Sequence, residues 1–202
     1  MAMASNPHES SAAADERAAA ASGAASRIDR AALARRIADA SLLRGSFTLR
    51  SGRTSSFYLD KYLFSTRPEI LRDLGVLFAA RIPAGTTRLA GAELGGIPLV
   101  SATSLASGLP CVFVRNAKKD YGTAKQLEGA VNKGDRIVLV EDVATTGGQA
   151  LEAAKVLVDA GAVVTHVIAT IDRLEGAREN VENAGICFDS IFTVRDLGID
   201  AS

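Results

Sequence analysis

The segment IVLVEDVATTGGQALEAAKVL, from Ile137 to Leu157, constrains the fold more tightly than any other part of the chain. Its head is short, apolar and β-branched, the pattern of a strand covered on both faces of a parallel sheet. Leu151, Ala154, Leu157 and Val158 then recur at helical spacing. Glu141 to Gly148 is therefore a loop running from the end of a strand into a helix. Such a helix start offers unpaired N–H groups and partial positive charge, which suit phosphate. Thr145 and Thr146 add hydroxyl donors, Gly147 and Gly148 let the backbone come close, and Val143 and Ala144 lead into the turn. Glu141 and Asp142 would repel a bare phosphate. The conflict resolves if the ligand also carries hydroxyls that donate to these acids, or a magnesium ion that screens them, and a ribose phosphate meets both conditions. A P-loop would need Lys-Ser/Thr after its glycines, and a dinucleotide loop needs three spaced glycines; neither pattern occurs. Acidic helix caps and plain Thr-Gly turns are the bland alternative, but the complete string favours phosphate.

The 202 residues suffice for one α/β domain with a proper core, and nearly half of them are hydrophobic. Formal net charge is zero and no long basic block occurs, which argues against a nucleic-acid surface or a membrane-binding face. No apolar run reaches the length of a membrane span, and the N-terminus lacks the form of a secretory signal. Cys111 and Cys187 read as buried reduced thiols, which predicts a cytoplasmic protein. His8 and His166 are the two histidines, which argues against a zinc cluster or a Ser-His-Asp triad; His166 reads as a satisfied or edge-strand residue. Residues 1–26 are rich in Ala and Ser and read as a disordered tail, with residues 27–202 as the single domain. Periodicity predicts helices near 28–41, 68–82, 97–108, 148–160 and 174–184. Strands are expected at RLAGA, CVFVR, IVLVE, THVIATI and SIFTV. Residues 42–66 precede this core as a β-rich hood.

The string VLVEDVATTGG resembles the phosphoribosyl pyrophosphate (PRPP) signature of the type I phosphoribosyltransferases. The resemblance implies that family's α/β fold, a mainly parallel central sheet flanked by helices with a small N-terminal β-containing hood. It also implies that Glu141 and Asp142 meet the ribose hydroxyls while Val143 to Gly148 hold the 5′-phosphate. VRNAKKDYGTAKQLEGA, residues 114–130, is cationic and lacks an apolar face; taken alone it is either a solvated loop or a lid that closes over a polyanion. It is similar to the catalytic loop of the orotate phosphoribosyltransferase family, whose pattern is Arg-Lys-x-x-Lys-Asp-His-Gly. Arg115, Lys119, Asp120 and Gly122 keep that pattern. Asn116 stands in place of a lysine and Tyr121 in place of the histidine, and Lys118 offers a compensating charge.

Three further segments extend the likeness over residues 28–197. FTLRSGRTSSFYLDKYLFST matches the hood, with Arg50 directed at pyrophosphate and Phe57 and Tyr58 at orotate; without the resemblance the two aromatics would read as core. GAELGGIPLVSATS resembles the pyrophosphate loop, here Glu93, Leu94, Gly95 and Gly96. Some members carry a lysine where Gly95 stands, and Glu93 suits a magnesium-bound water. In IATIDRLEGA, Arg173 is implied in orotate recognition together with Thr145, while an ion pair of Arg173 with Glu175 or Asp172 is the local alternative. The family then implies orotate and PRPP as substrates, Mg2+ carried on PRPP near Glu141 and Asp142 without an assigned protein ligand, and Arg115, Lys119, Tyr121 and Asp142 as the catalytic set. It also implies a homodimer whose lid is shared across the interface. A purine or xanthine phosphoribosyltransferase and a PRPP-sensing regulator that binds nucleic acid are the rival readings. The lid with its aromatic pair disfavours the first, and the neutral charge disfavours the second.

Overall fold

The computed structural model describes residues 7–48, 54–116 and 126–199. Six strands form the central sheet in the order β5-β4-β3-β6-β7-β8. They are β3 (Arg88–Ala92), β4 (Cys111–Val114), β5 (Leu127–Glu128), β6 (Arg136–Ala144), β7 (Val163–Asp172) and β8 (Cys187–Thr193). All neighbours pair in parallel except β5, which runs antiparallel to β4. The apolar heads of β6 and β7 are buried from Ile137 to Val140 and from Val167 to Ile171, as strands covered on both faces must be.

One face is covered by α2 (Arg30–Ser41), α4 (Pro68–Ala79) and α5 (Gly96–Ser107), which bury Leu33, Ile37, Ile70, Leu74, Phe78, Leu99 and Val100 against the sheet. Asp29 caps α2 by accepting from the Ala32 N–H at 3.0 Å, and Pro68 opens α4 where its missing donor costs nothing. The opposite face is covered by α6 (Gly148–Asp159) and α7 (Ala177–Asn183), through Ala150, Ala153, Ala154, Leu157 and Val181. α5 thus leaves β3 on one side while α6 leaves the adjacent β6 on the other. Where neighbouring strands send their helices to opposite faces, a crevice opens beyond the carboxyl ends of the strands. The Glu93–Gly95 turn and the Glu141–Gly148 segment flank that crevice; the latter, expected as a loop throughout, continues β6 to Ala144 and turns only at Thr145–Gly147.

The expected hood is an antiparallel hairpin, β1 (Leu42–Thr48) with β2 (Thr54–Leu59), followed by the short helix α3 (Lys61–Ser65). Three expectations need correction. Residues within the 1–26 tail form a helix, α1 (Pro7–Ala25), which lies against α4 and α5 and buries Ala21. Its lack of large apolar residues excludes a core-forming stripe, but alanine is the best helix former and small enough to pack closely. His166 sits on β7, an interior strand, and its Nδ1 has no partner among the described residues. Burial, and then the charge of Arg136, lowers its pKa. Cys187 is exposed at the first position of β8, whereas Cys111 is half-buried; both are free thiols.

Candidate active site

β6 carries Glu141 and Asp142 to its carboxyl end, and both are buried. The Glu141 carboxyl accepts from the Asp142 N–H at 3.0 Å, and Asp142 Oδ1 accepts from the Val143 N–H at 2.6 Å. Thr145 and Thr146 follow, and Gly147 turns the chain with φ 77° before α6 begins at Gly148. That turn requires glycine twice over, since φ is positive and a Cβ would stand 2.9 Å from Val181 Cγ2. Asn180 of α7 holds the loop from outside, donating from Nδ2 to the Thr146 carbonyl at 2.9 Å. A small pocket lined by Glu141, Val143, Ala144 and Thr145 to Ala150 opens over the free N–H groups of α6.

Two features lessen the repulsion between the two acids: the burial of Glu141 and an unforeseen cation beside Asp142. Burial first, and next the charge of Asp142, raise the Glu141 pKa well above the ordinary carboxylate value, so this carboxyl favours its neutral form. Asp142 meets Lys61, the first residue of α3, at 2.9 Å. Burial opposes the Lys61 charge, but the Asp142 carboxylate overrides it and raises the ammonium pKa. The pair of acids therefore presents much less negative charge than two free carboxylates would.

Glu141 also makes stability depend on pH. A carboxyl with a raised folded pKa favours the folded chain fully below its ordinary value of 4.5, and that contribution disappears as pH rises through the folded pKa. Glu141→Gln cannot ionise. The melting temperature of the wild type relative to Glu141→Gln should therefore fall as pH rises above about 4.5. Parallel melting curves from pH 5 to 9 would show that Glu141 is not held neutral.

On the other side of the crevice, Glu93, Leu94, Gly95 and Gly96 lead from β3 into α5. A Cβ on Gly95 would stand 1.5 Å from Asp142 Oδ2, so a larger residue here is incompatible with the position of this carboxylate. Gln149, at the start of α6, donates from Nε2 to the Glu93 carbonyl at 3.1 Å and ties the two loops together. At the two ends of the 114–130 segment that are described, the Arg115 N–H donates to the Gln126 carbonyl at 2.8 Å, and the Arg115 guanidinium lies 3.6 Å from Glu128. Arg115 shares a pocket with Gln149, close to the Glu93 loop, and exposed Asn116 follows it. Arg50, Lys118, Lys119 and Tyr121 lie outside the described residues.

Arg173 follows β7, and its N–H donates to the Ala144 carbonyl at 2.9 Å, which brings it beside the end of β6. Its guanidinium pairs with Glu175 at 2.9 Å and lies 5.6 Å from the Phe57 ring centroid. The local ion pair expected from sequence is present, and the guanidinium also faces the hood through Phe57. Phe57 and Tyr58 do not share a face. Successive strand residues point oppositely, so Phe57 turns toward Arg173 and the core while exposed Tyr58 packs against Phe47, with ring centroids 5.8 Å apart. Lys61, Gln149 and Asn180 were not foreseen, because each acts on a loop distant in sequence. The basic residue just after the aromatic pair was the one available signal for Lys61.

Comparison with known proteins agrees with this geometry. The phosphoribosyl transferase domain family matches residues 77–202. The orotate phosphoribosyltransferase of Natronomonas pharaonis is 46% identical over 156 residues, 77% of this chain and 89% of that protein. The crystal structure of Mycobacterium tuberculosis orotate phosphoribosyltransferase with Fe(III) dicitrate superposes with a TM-score of 0.75 and 32% identity, covering 85% of this chain and all of that one. The same enzyme solved with PRPP superposes at 0.72, again with 32% identity and the same coverage.

Proposed function

Since the chain belongs to the phosphoribosyltransferase family, and within it to the orotate phosphoribosyltransferases, we propose that it transfers the phosphoribosyl group of PRPP to orotate. The products are orotidine 5′-monophosphate and pyrophosphate, in the synthesis of pyrimidine nucleotides. The observation that carries this reading is the meeting of Arg173, Phe57 and the Glu141–Gly148 loop at one end of the sheet. An aromatic face and a guanidinium suit a flat heterocycle bearing a carboxylate, and they adjoin a loop suited to ribose phosphate.

The chemistry separates by charge. As the bond from the anomeric carbon to pyrophosphate breaks, positive charge grows on the ribose and negative charge on the departing diphosphate. Glu141 and Asp142 lie on the ribose side, and the backbone of Leu94 to Gly96 with Arg115 on the diphosphate side. Arg50, Lys118, Lys119 and Tyr121 are assigned to the diphosphate from sequence. The family likeness assigns magnesium to PRPP itself, with the acid pair Glu141 and Asp142 beside it. When bound there, magnesium would screen the diphosphate charge. A homodimer that shares the 114–130 lid, and a reducing cytoplasm, belong to the same proposal; the free Cys111 and Cys187 support the latter. Among the described residues no helix is long and apolar enough to cross a membrane.

The test is turnover of orotate with Mg-PRPP, set against uracil, guanine, hypoxanthine and xanthine. Orotate should be preferred strongly, and Arg173→Ala should raise its KM about tenfold to thirtyfold while PRPP affinity stays within threefold, as loss of a charge-assisted contact requires. Turnover of a purine in preference to orotate would overturn the assignment.

A further inference from the structure

Lys61 lies in the hood segment but was given no role there, yet it is the cation against which Asp142 is set. Asp60 caps α3 by accepting from the Tyr62 N–H at 3.1 Å, and this fixes the first turn from which Lys61 reaches the sheet. The Lys61 ammonium stands 2.9 Å from Asp142 Oδ2 and 3.2 Å from Oδ1. The Asp142 side chain is 1% exposed and that of Lys61 30%. The Val143 N–H holds Oδ1 from a second direction, and Gly95 bounds the carboxylate from a third. Despite the nearby ammonium, Oδ2 has no well-directed hydrogen bond among the described residues. The carboxylate is thus anchored on three sides, with Oδ2 enclosed between the Lys61 ammonium and Gly95.

We propose that Lys61 is a positioning residue for the ribose of PRPP, orienting the Asp142 carboxylate to receive a ribose hydroxyl and acting on substrate through Asp142. The inference rests on the phosphoribosyl-transfer reading and adds a residue from the hood side to the ribose site. It makes α3 a link between the segment that carries Phe57 and the loop that holds the sugar. A plain structural ion pair would affect melting alone. A positioning role links the effect of Lys61 to that of Asp142.

The experiment compares the full-length wild type with Lys61→Met, Lys61→Gln, Lys61→Arg, Asp142→Asn and the double variant Lys61→Met/Asp142→Asn. Calorimetric titration with Mg-PRPP is combined with KM measurements for each substrate. Either neutral replacement should weaken PRPP binding about tenfold and move the orotate KM less than threefold, and Lys61→Arg should stay within threefold of the wild type. In the Asp142→Asn background, Lys61→Met should add less than twofold, since both changes remove one interaction. PRPP affinity within twofold of wild type in both neutral variants overturns the proposal, as do losses that multiply in the double variant. If the wild type binds PRPP but does not turn over orotate, the reading of the reaction fails while the binding series still decides the role of Lys61.

Discussion

Replacing Lys119 by alanine is expected to lower kcat about 10²–10³-fold, the usual loss when a group serving transition-state charge is removed, with the orotate KM changed less than threefold. The reason is where the charge goes. Pyrophosphate leaves the anomeric carbon with the bonding electrons, so the need for a cation rises during the reaction step and is small when orotate binds. Among the described residues assigned to the diphosphate, Arg115 lies near Glu128, and Leu94 to Gly96 offer backbone groups and no side-chain cation. Asn116 and Tyr121 stand where the family pattern has a lysine and a histidine, which concentrates the remaining demand on Lys119. Lys118→Ala should cost less than fivefold in kcat. Steady-state constants for both variants at saturating PRPP decide between the neighbours: a crippled Lys118→Ala beside a mild Lys119→Ala moves the catalytic lysine by one position.

What could be read from sequence was whatever is local along the chain. The strand, acid pair, Thr-Thr-Gly-Gly turn and helix between Ile137 and Asp159 are contiguous, so their order alone predicts β6, the phosphate loop and α6. The same holds for β3 with α5, and for Arg173 directly after β7. The crevice between the two loops follows once α5 and α6 lie on opposite faces. Contacts that span the chain were not legible. Lys61 and Asp142 are 81 residues apart, and no pattern in either segment announces the other. The divergence of Phe57 and Tyr58 follows from strand periodicity, which a likeness to an aromatic pair obscured. The α1 helix is hidden for a different reason: an Ala-rich segment cannot form a core stripe, and its helix propensity leaves no apolar periodicity to read.

Asp142→Asn is expected to lower kcat/KM for PRPP about a hundredfold, equivalent to about 2.7 kcal/mol, with the melting temperature shifted by less than about 5 °C. The substitution keeps side-chain volume and one acceptor, so the turn into Val143 can persist. Lys61, 30% exposed, can swing its ammonium toward water once its partner is neutral, which limits the structural cost. The functional cost has no such relief. A ribose hydroxyl donating to a buried carboxylate makes a charge-assisted hydrogen bond, and positive charge growing on the sugar strengthens it in the transition state. Burial and the charge of Asp142 raise the Glu141 pKa, and of the two acids Asp142 is the one paired with a cation, Lys61. Asp159→Asn, at the exposed end of α6, is the matched control and should leave PRPP binding, turnover and melting unchanged. Calorimetric titration with Mg-PRPP and thermal melts of both variants separate the two roles. If Asp142→Asn melts several degrees lower yet binds Mg-PRPP and turns over like the wild type, the acid pair serves the turn and not the ribose. The reading of the Glu141–Gly148 loop as a sugar-phosphate site would then lose its chemical basis.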